Sequence, residues 1–480
     1  MRSRNGRKGG AHNATTLHHS RFCSEQKAQS RMSPRDVLRV YDSNPEVLSG
    51  ESLPAGPLPV EDGERVGVVM FNLGGPASLD EVELFLYQLF MDPAFLDLPV
   101  GRRLRRWLAS AGARLLAGTL RRRFEMIGGE SPLPSLAHEQ ADALERRLNA
   151  VYGAAVGAQF RTYPAMRYST PFPEEAAARM EADDVDKVVL LPAFPQYSAA
   201  TTGSALAYWA ALRAAGERPS WPTTAVPEYA AHPKFIQSVS ERIDEALQRF
   251  PEDVREQAVL VFSAQDTAWR SRADKTAPYC CQVSSTVQQV LRHREDARSA
   301  HTAFHPPNAL GTRPGLSPST PSVLEALAQQ GCPAALVVPI SILTDHVNTA
   351  YDLDISLRAE VEQQGIDHFE VTAALNTHPL LIDALGEAVV AQLHPPTDAE
   401  EPWAAWGGQQ RHYPLRPYQD RPRLSLDSTA ATHEDCDRTE GARGWTPEKA
   451  LSNEGISPKR PATPPDDPSP SPDPRSRERS

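Results

Sequence analysis

The tightest constraint on this chain is a local order repeated along its middle: an apolar run, a break, then a helical pattern. Val66–Leu73 (VGVVMFNL) is apolar at nearly every position and rich in valine. A strand with one wet face alternates polar and apolar residues, so an unbroken run predicts a strand covered on both faces. Gly74-Gly75-Pro76 breaks it, and Ser78 follows with Glu81 three residues on. That is the spacing of a capping box, with Ser78 as the N-cap. Val82, Phe85, Leu86 and Leu89 then keep i, i+3, i+4, i+7 spacing, which predicts an amphipathic helix. Strand, tight turn and helix open a βαβ unit.

The pattern recurs. Further strands are predicted at Gln159–Tyr163, Val188–Phe194, Ala258–Ser263, Ala335–Ser341 and Phe369–Ala374. One intervening helix is predicted from near Ser135 through His138 to about Leu148. Another has Thr320 as N-cap, Pro321 at its first position and Gly331 just past its end. Strands alternating with helices predict an α/β fold with parallel sheets. VVLLPAFPQYSAATT (188–202) and LVVPISILTDHVNT (336–349) share a plan, and so do VVMFNL and VLVFSA. This echo predicts two Rossmann-like lobes, each a parallel sheet flanked by helices, with a cleft between them. Ligands in open α/β sheets bind beyond the carboxyl ends of the strands, so chemistry is sought there.

Composition sets the borders. Of 44 prolines, 15 fall in the 86 residues from Pro395 to the end, which predicts a disordered tail over 395–480. Residues 1–64 read as a mostly disordered extension, leaving lobes at 65–225 and 226–394. The first 35 residues hold eight Lys/Arg and one acid, Glu25, without an apolar core, so no secretory signal is expected. A cytoplasmic location is expected, with an organellar transit peptide as the alternative. The net charge of −11 argues against nucleic acid as a partner. Arg102–Arg123 carries eight arginines and no acid, interleaved with Leu104, Trp107, Leu108, Leu115 and Leu116. It is read either as a solvated helix face or as a membrane-surface contact. No window approaches the ~18 apolar residues of a membrane span. The five cysteines form no C-x-x-C pair, so neither a zinc site nor an iron–sulfur cluster is expected.

At the predicted strand ends stand Arg167-Tyr168, then Pro195–Ser204 (PQYSAATTGS), then Thr344–Asp354 (TDHVNTAYDLD). An arginine fork suits a carboxylate, and the hydroxyl-rich segment with its tyrosine suits a flat ring bearing carboxylates. The last segment holds one histidine and three aspartates in eleven residues, able to bind a metal through His346 and Asp345 or to move protons. Neither a dinucleotide nor a P-loop fingerprint is present.

Taken together these segments resemble the ferrochelatase family, which inserts ferrous iron into a porphyrin to make haem. The likeness covers residues 65–393: NLGGP (72–76), LFMDP (89–93), IGGESPL (127–133), MRYSTP (166–171), PQYSAATTGS (195–204), DHVNTAYDLDI (345–355) and ALNTHPL (374–380). The resemblance implies a porphyrin cleft contacted by Ser131, Arg167, Tyr168, Gln196, Tyr197, Ser198, Thr201, Thr202 and Ser204. It implies porphyrin or haem as partner and Fe2+ as substrate, with no tightly bound cofactor. It also implies a base in an F-S-A-H motif and a glutamate in a D-H-x-E-T run. Here the sequence departs. Phe262-Ser263-Ala264 is followed by Gln265, and Asp345-His346-Val347 by Asn348. The family's Q-S-[KR]-V-G-P-x-x-W-L reads PNALGTRPGL (307–316), with Gly315 in place of tryptophan. An amide takes up no proton near neutral pH. Two expectations follow. Either metal insertion proceeds with relocated acid–base groups, drawn from Asp345, His346, Asp352, Asp354, Asp266 and His305, or the chain binds porphyrin or haem without inserting metal.

Overall fold

A computed structural model describes residues 58–96, 98, 100–214, 220–266, 279–305, 316 and 318–393. The extension before residue 58, the proline-rich tail and nearly all of PNALGTRPGL lie outside the described residues. Among the described residues the chain forms eight strands: β1 (Arg65–Asn72), β2 (Gln159–Met166), β3 (Lys187–Pro192), β4 (Thr223–Ala225), β5 (Val259–Gln265), β6 (Ala300–His305), β7 (Ala334–Pro339) and β8 (His368–Val371). They make two four-stranded parallel sheets, ordered β2-β1-β3-β4 and β6-β5-β7-β8. The same order in both halves is the structural form of the echo in the sequence. After Arg65 every residue of β1 is buried, as an apolar run covered on both faces requires.

Helices longer than one turn are α1 (Val82–Met91), α2 (Arg102–Met126), α3 (Leu133–Arg147), α4 (Pro173–Ala182), α5 (Ser204–Ala214), α6 (Pro233–Leu247), α7 (Tyr279–Arg294), α8 (Thr320–Gln329), α9 (Arg358–Gln364) and α10 (Pro379–Leu393). The predicted face of α1 is the buried one: Val82, Phe85, Leu86 and Leu89 all point inward. The capping box is not formed. Ser78 makes no side-chain cap, and Glu81 reaches instead to the Ala77 amide at 3.2 Å. The cap of α8 is Ser319 rather than Thr320; its hydroxyl accepts from the Ser322 amide at 3.2 Å. Strands β4 and β6 were not legible. The first has three residues, and the second interrupts its apolar positions with His301, Thr302 and His305.

Two packing features create the site. In α2 the stripe Ala109, Ala113, Ala117, Leu120 and Phe124 is buried. Small residues at this spacing let α2 pack closely along α1, and the pair forms a hairpin whose core also includes Tyr168 of the first lobe and Val347 of the second. The hairpin therefore spans the junction. At the far side α10 crosses back to pack on α3 and α6, and one continuous apolar core joins both sheets. The cross-lobe bonds Gln140 Nε2 to the Asn376 carbonyl (2.6 Å) and Thr344 Oγ1 to Gln140 Oε1 (3.1 Å) tie the same junction.

Candidate active site

The segments placed at strand ends in the sequence lie just beyond the carboxyl ends of β1, β2, β3 and β7. After β1, the Gly74 and Gly75 turn admits no side chain. A Cβ at Gly74 would stand 2.4 Å from Ser169 Oγ, and one at Gly75 would stand 2.2 Å from Ser131 Oγ. Ser169 Oγ accepts from the Gly75 amide at 3.1 Å. These glycines serve close approach between segments of the chain itself, and Ser131 is packed against them.

After β2, Arg167 and Tyr168 turn onto Asp92, the aspartate of LFMDP. Arg167 donates to Asp92 Oδ2 at 3.0 Å and to Ser204 Oγ at 2.9 Å. Tyr168 Oη donates to Asp92 Oδ2 at 2.6 Å, and the Ser204 hydroxyl donates to the same oxygen. The guanidinium stacks between Tyr168 and Tyr208, 4.8 and 4.3 Å from their ring centres. Asp92 is fully buried, and burial pushes its carboxyl up and the Arg167 guanidinium down. Arg167, Tyr168 and Ser204 thus spend these polar contacts on a protein carboxylate.

After β3, a widened π-helical turn spans Ala199–Gly203, capped by Ser198, whose hydroxyl accepts from the Thr201 amide at 3.2 Å. Gln196 reaches across to the second lobe, donating to Thr286 Oγ1 at 3.0 Å and to the Ile340 carbonyl at 3.1 Å. The Tyr197 amide donates to Gln282 Oε1 at 2.6 Å. Thr202 Oγ1 is buried without a hydrogen-bond partner among the described residues.

After β7, a second π-helical segment runs Asn348–Leu357. Such widened turns gather at functional sites; nothing in the hydrophobic pattern marked either of them. His346 enters this segment buried. Its Nδ1 accepts from the Asn348 amide at 3.4 Å, so in the neutral ring Nε2 carries the proton. Burial pushes the imidazole down from 6.5 to about 4, against the pull of Asp352 and the Gly74 carbonyl. It is neutral at physiological pH. Asp345 is held on both oxygens, by Asn376 Nδ2 (2.8 Å) and Thr349 Oγ1 (3.3 Å). Among the described residues no three His, Cys, Asp or Glu converge to hold a metal ion, so His346 and Asp345 are not joined by a third such ligand. The Asn348 side chain is half-buried.

Gln265 ends β5, half-buried, with its backbone N–H donating to Ser341 Oγ at 2.6 Å. Its register partner on β6 is His305. His305 is buried, and neither ring nitrogen has a hydrogen-bond partner among the described residues. Its Nε2 lies 3.9 Å from Asp352 Oδ2. Arg123, reaching down from α2, donates to the other Asp352 oxygen at 3.1 Å. Asp266 is drawn to backbone instead, accepting from the Leu316 amide at 3.1 Å. Sequence reasoning did not select Asp92 or Arg123 as site residues. The first lay in a quoted motif, LFMDP; the second was one arginine of eight.

Two parallel α/β lobes meet at a buried cluster of histidine, carboxylate and amide, which defines a two-lobed α/β protein. A ferrochelatase family profile matches residues 65–393. The chain is 33% identical over 339 residues to the ferrochelatase of Gloeothece citriformis, covering 68% of this chain and 83% of that one. It is 34% identical over 334 residues to that of Geotalea uraniireducens, covering 68% and 97%. The chain belongs to the ferrochelatase family. Among solved structures, SirB from Bacillus subtilis with Fe3+ overlays with a TM-score of 0.41 at 11% identity, covering 69% of this chain and 96% of SirB. No helix among the described residues is long and apolar enough to cross a membrane.

Proposed function

We propose that this protein inserts ferrous iron into a porphyrin, protoporphyrin IX giving protohaem. The observation that carries the reading is His346. It is buried at the junction of the lobes and held neutral. A neutral imidazole has one lone pair, here on Nδ1, faced only by the Asn348 amide at 3.4 Å, and that is the pair an incoming cation or proton would take. Ferrous iron is here a substrate passing through, not a resident cofactor. Porphyrin contacts are assigned to the β3 segment, through Tyr197 and Thr201, with the Thr202 hydroxyl buried behind them without a hydrogen-bond partner among the described residues. Arg167, Tyr168 and Ser204 act from behind by fixing that wall through Asp92. Ser131, Gln196 and Ser198 set the turns and the lobe junction.

The test is an anaerobic assay of purified protein with ferrous iron and protoporphyrin, read as loss of porphyrin fluorescence and gain of a haem spectrum. Turnover supports the reading, and none refutes it. A second reading, porphyrin or haem binding without insertion, is favoured by the amides at Gln265 and Asn348, which take up no proton. It is met by a Soret shift on titration with no haem formed.

A further inference from the structure

Gln140 is a buried amide at a place where helical spacing calls for an apolar side chain. It lies on α3 in one inward stripe with Leu133, Ala137, Ala141 and Leu144, and is 1% exposed. Burying an amide is costly unless both of its ends are bonded. Here both ends are met by the second lobe. Nε2 donates to the Asn376 carbonyl at 2.6 Å, and Oε1 accepts from Thr344 Oγ1 at 3.1 Å. Thr344 stands two residues before His346, and Asn376 lies on the loop after β8. Asn376 in turn grips Asp345: its Oδ1 accepts from the Asp345 backbone N–H at 3.0 Å, and its Nδ2 donates to Asp345 Oδ2 at 2.8 Å. It does so at φ 46°, in the left-handed region that asparagine tolerates better than most side chains. Asp345 Oδ1 then meets Thr349 Oγ1 at 3.3 Å, and that hydroxyl accepts from the His346 backbone N–H at 3.0 Å. An unbroken run of hydrogen bonds thus leads from α3, which packs on β2 of the first sheet, to the backbone of His346 in the second lobe.

We propose that Gln140 is a positioning residue for metal insertion: from the first lobe it fixes the Thr344–His346 turn through Thr344 and Asn376, and so sets where His346 stands relative to the β3 segment. The inference rests on the metal-insertion reading. The porphyrin contacts assigned to β3 and the histidine that meets the iron belong to opposite lobes, so their separation is decided at the junction. Reacting groups must be held to a fraction of an ångström, and a misplacement of about 1 Å costs about 10²-fold in rate. One bond would leave the turn free to pivot; two bonds from one rigid amide to two separate segments remove that freedom. A leucine at position 140 would satisfy the apolar stripe of α3 but would leave the Thr344 hydroxyl and the Asn376 carbonyl without these bonds.

The experiment compares the full-length protein with Gln140→Met, which keeps the side-chain length and drops both bonds, with Thr344→Val, which removes one bond at constant shape, and with Thr344→Ser, which keeps the hydroxyl. Turnover is measured in the anaerobic assay, porphyrin affinity by Soret titration, and folding by thermal midpoint. The position of His346 is read separately, from the imidazole nitrogen signals of protein labelled with ¹⁵N-histidine, the His346 signals being those lost in His346→Asn. Gln140→Met is expected to lower kcat by about 10–10²-fold with porphyrin affinity unchanged, and to shift the His346 signals. Thr344→Val is expected to do the same to a smaller extent, and supplies an independent reading should Gln140→Met not fold. Thr344→Ser is expected to recover both kcat and the wild-type signals, which distinguishes the hydroxyl bond from mere packing. Folded Gln140→Met and Thr344→Val forms that keep kcat overturn the proposal in an active protein. So does a lost kcat with the His346 signals unmoved, or a loss confined to porphyrin affinity. A wild-type protein that binds porphyrin but forms no haem overturns the metal-insertion reading, and the His346 signals then decide the positioning: shifted in Gln140→Met and Thr344→Val but not in Thr344→Ser, they support it, and unshifted they overturn it.

Discussion

His346 makes a quantitative prediction about stability against pH. Its imidazole ionises near 6.5 when unfolded and is pushed to about 4 in the fold, where burial disfavours the cation. Between these values the unfolded chain binds a proton that the folded chain does not. Stability is therefore fully present above pH 6.5 and drains away as pH falls toward 4. Each pH step in that window costs about 1.4 kcal/mol for one proton, so the whole effect is about 3 kcal/mol. At pH 4.5 about 2.5 kcal/mol of it is gone. The perturbation is His346→Asn, which removes the titrating ring while its amide oxygen accepts the Asn348 amide in place of Nδ1. Urea unfolding of both proteins at pH 7 and pH 4.5 gives the difference. His232 and His378 are also pushed down and contribute to the acid loss of both proteins, so they cancel in the comparison. The variant is expected to lose about 2.5 kcal/mol less than the wild type over this range. Equal losses would show that His346 titrates normally, and the argument for a buried neutral imidazole at the junction would fall.

Other outcomes follow from the same geometry. Asp92→Asn leaves Arg167 buried without its carboxylate and is expected to cost about 3–5 kcal/mol in urea unfolding, with porphyrin affinity falling as the β3 wall loosens. Gly75→Ala sets a methyl group against Ser131 and is expected to cost about 1–3 kcal/mol, which Ser131→Gly in the same chain should largely recover. The outer face of α2 leaves Trp107 66% and Leu115 80% exposed among arginines. It is expected to sediment with anionic vesicles at low salt and to be released at high salt, and Trp107→Ala/Leu115→Ala should abolish that binding.

The α/β character and the position of the chemistry were readable from local rules. A run such as VGVVMFNL has few alternatives to a strand covered on both faces, because exposing it on either face would waste apolar burial. Once strands alternate with helices, their carboxyl ends follow in order, and the motif residues stand there. Shorter or mixed segments resisted this logic. The alternation of AHTAFH is blurred by polar side chains whose partners lie on other elements, and Thr223–Ala225 is too short to show a period.

What local order could not decide is which polar groups face which. Asp92 and Arg167 are 75 residues apart, and Arg123 and Asp352 are 229 apart. Nothing in their spacing says that the first pair stabilises a wall or that the second aims a carboxylate. His305 is, in sequence, one histidine among 14. It meets Asp352 only because β6 lies beside β5 in register with Gln265 and because the turn after β7 widens to carry Asp352 to it. Hydrophobic periodicity acts over one or two turns of chain, whereas the pairing of buried charges is settled only when whole sheets and helices pack. The lobes were therefore written locally, and the meeting of their buried polar groups arose from their assembly.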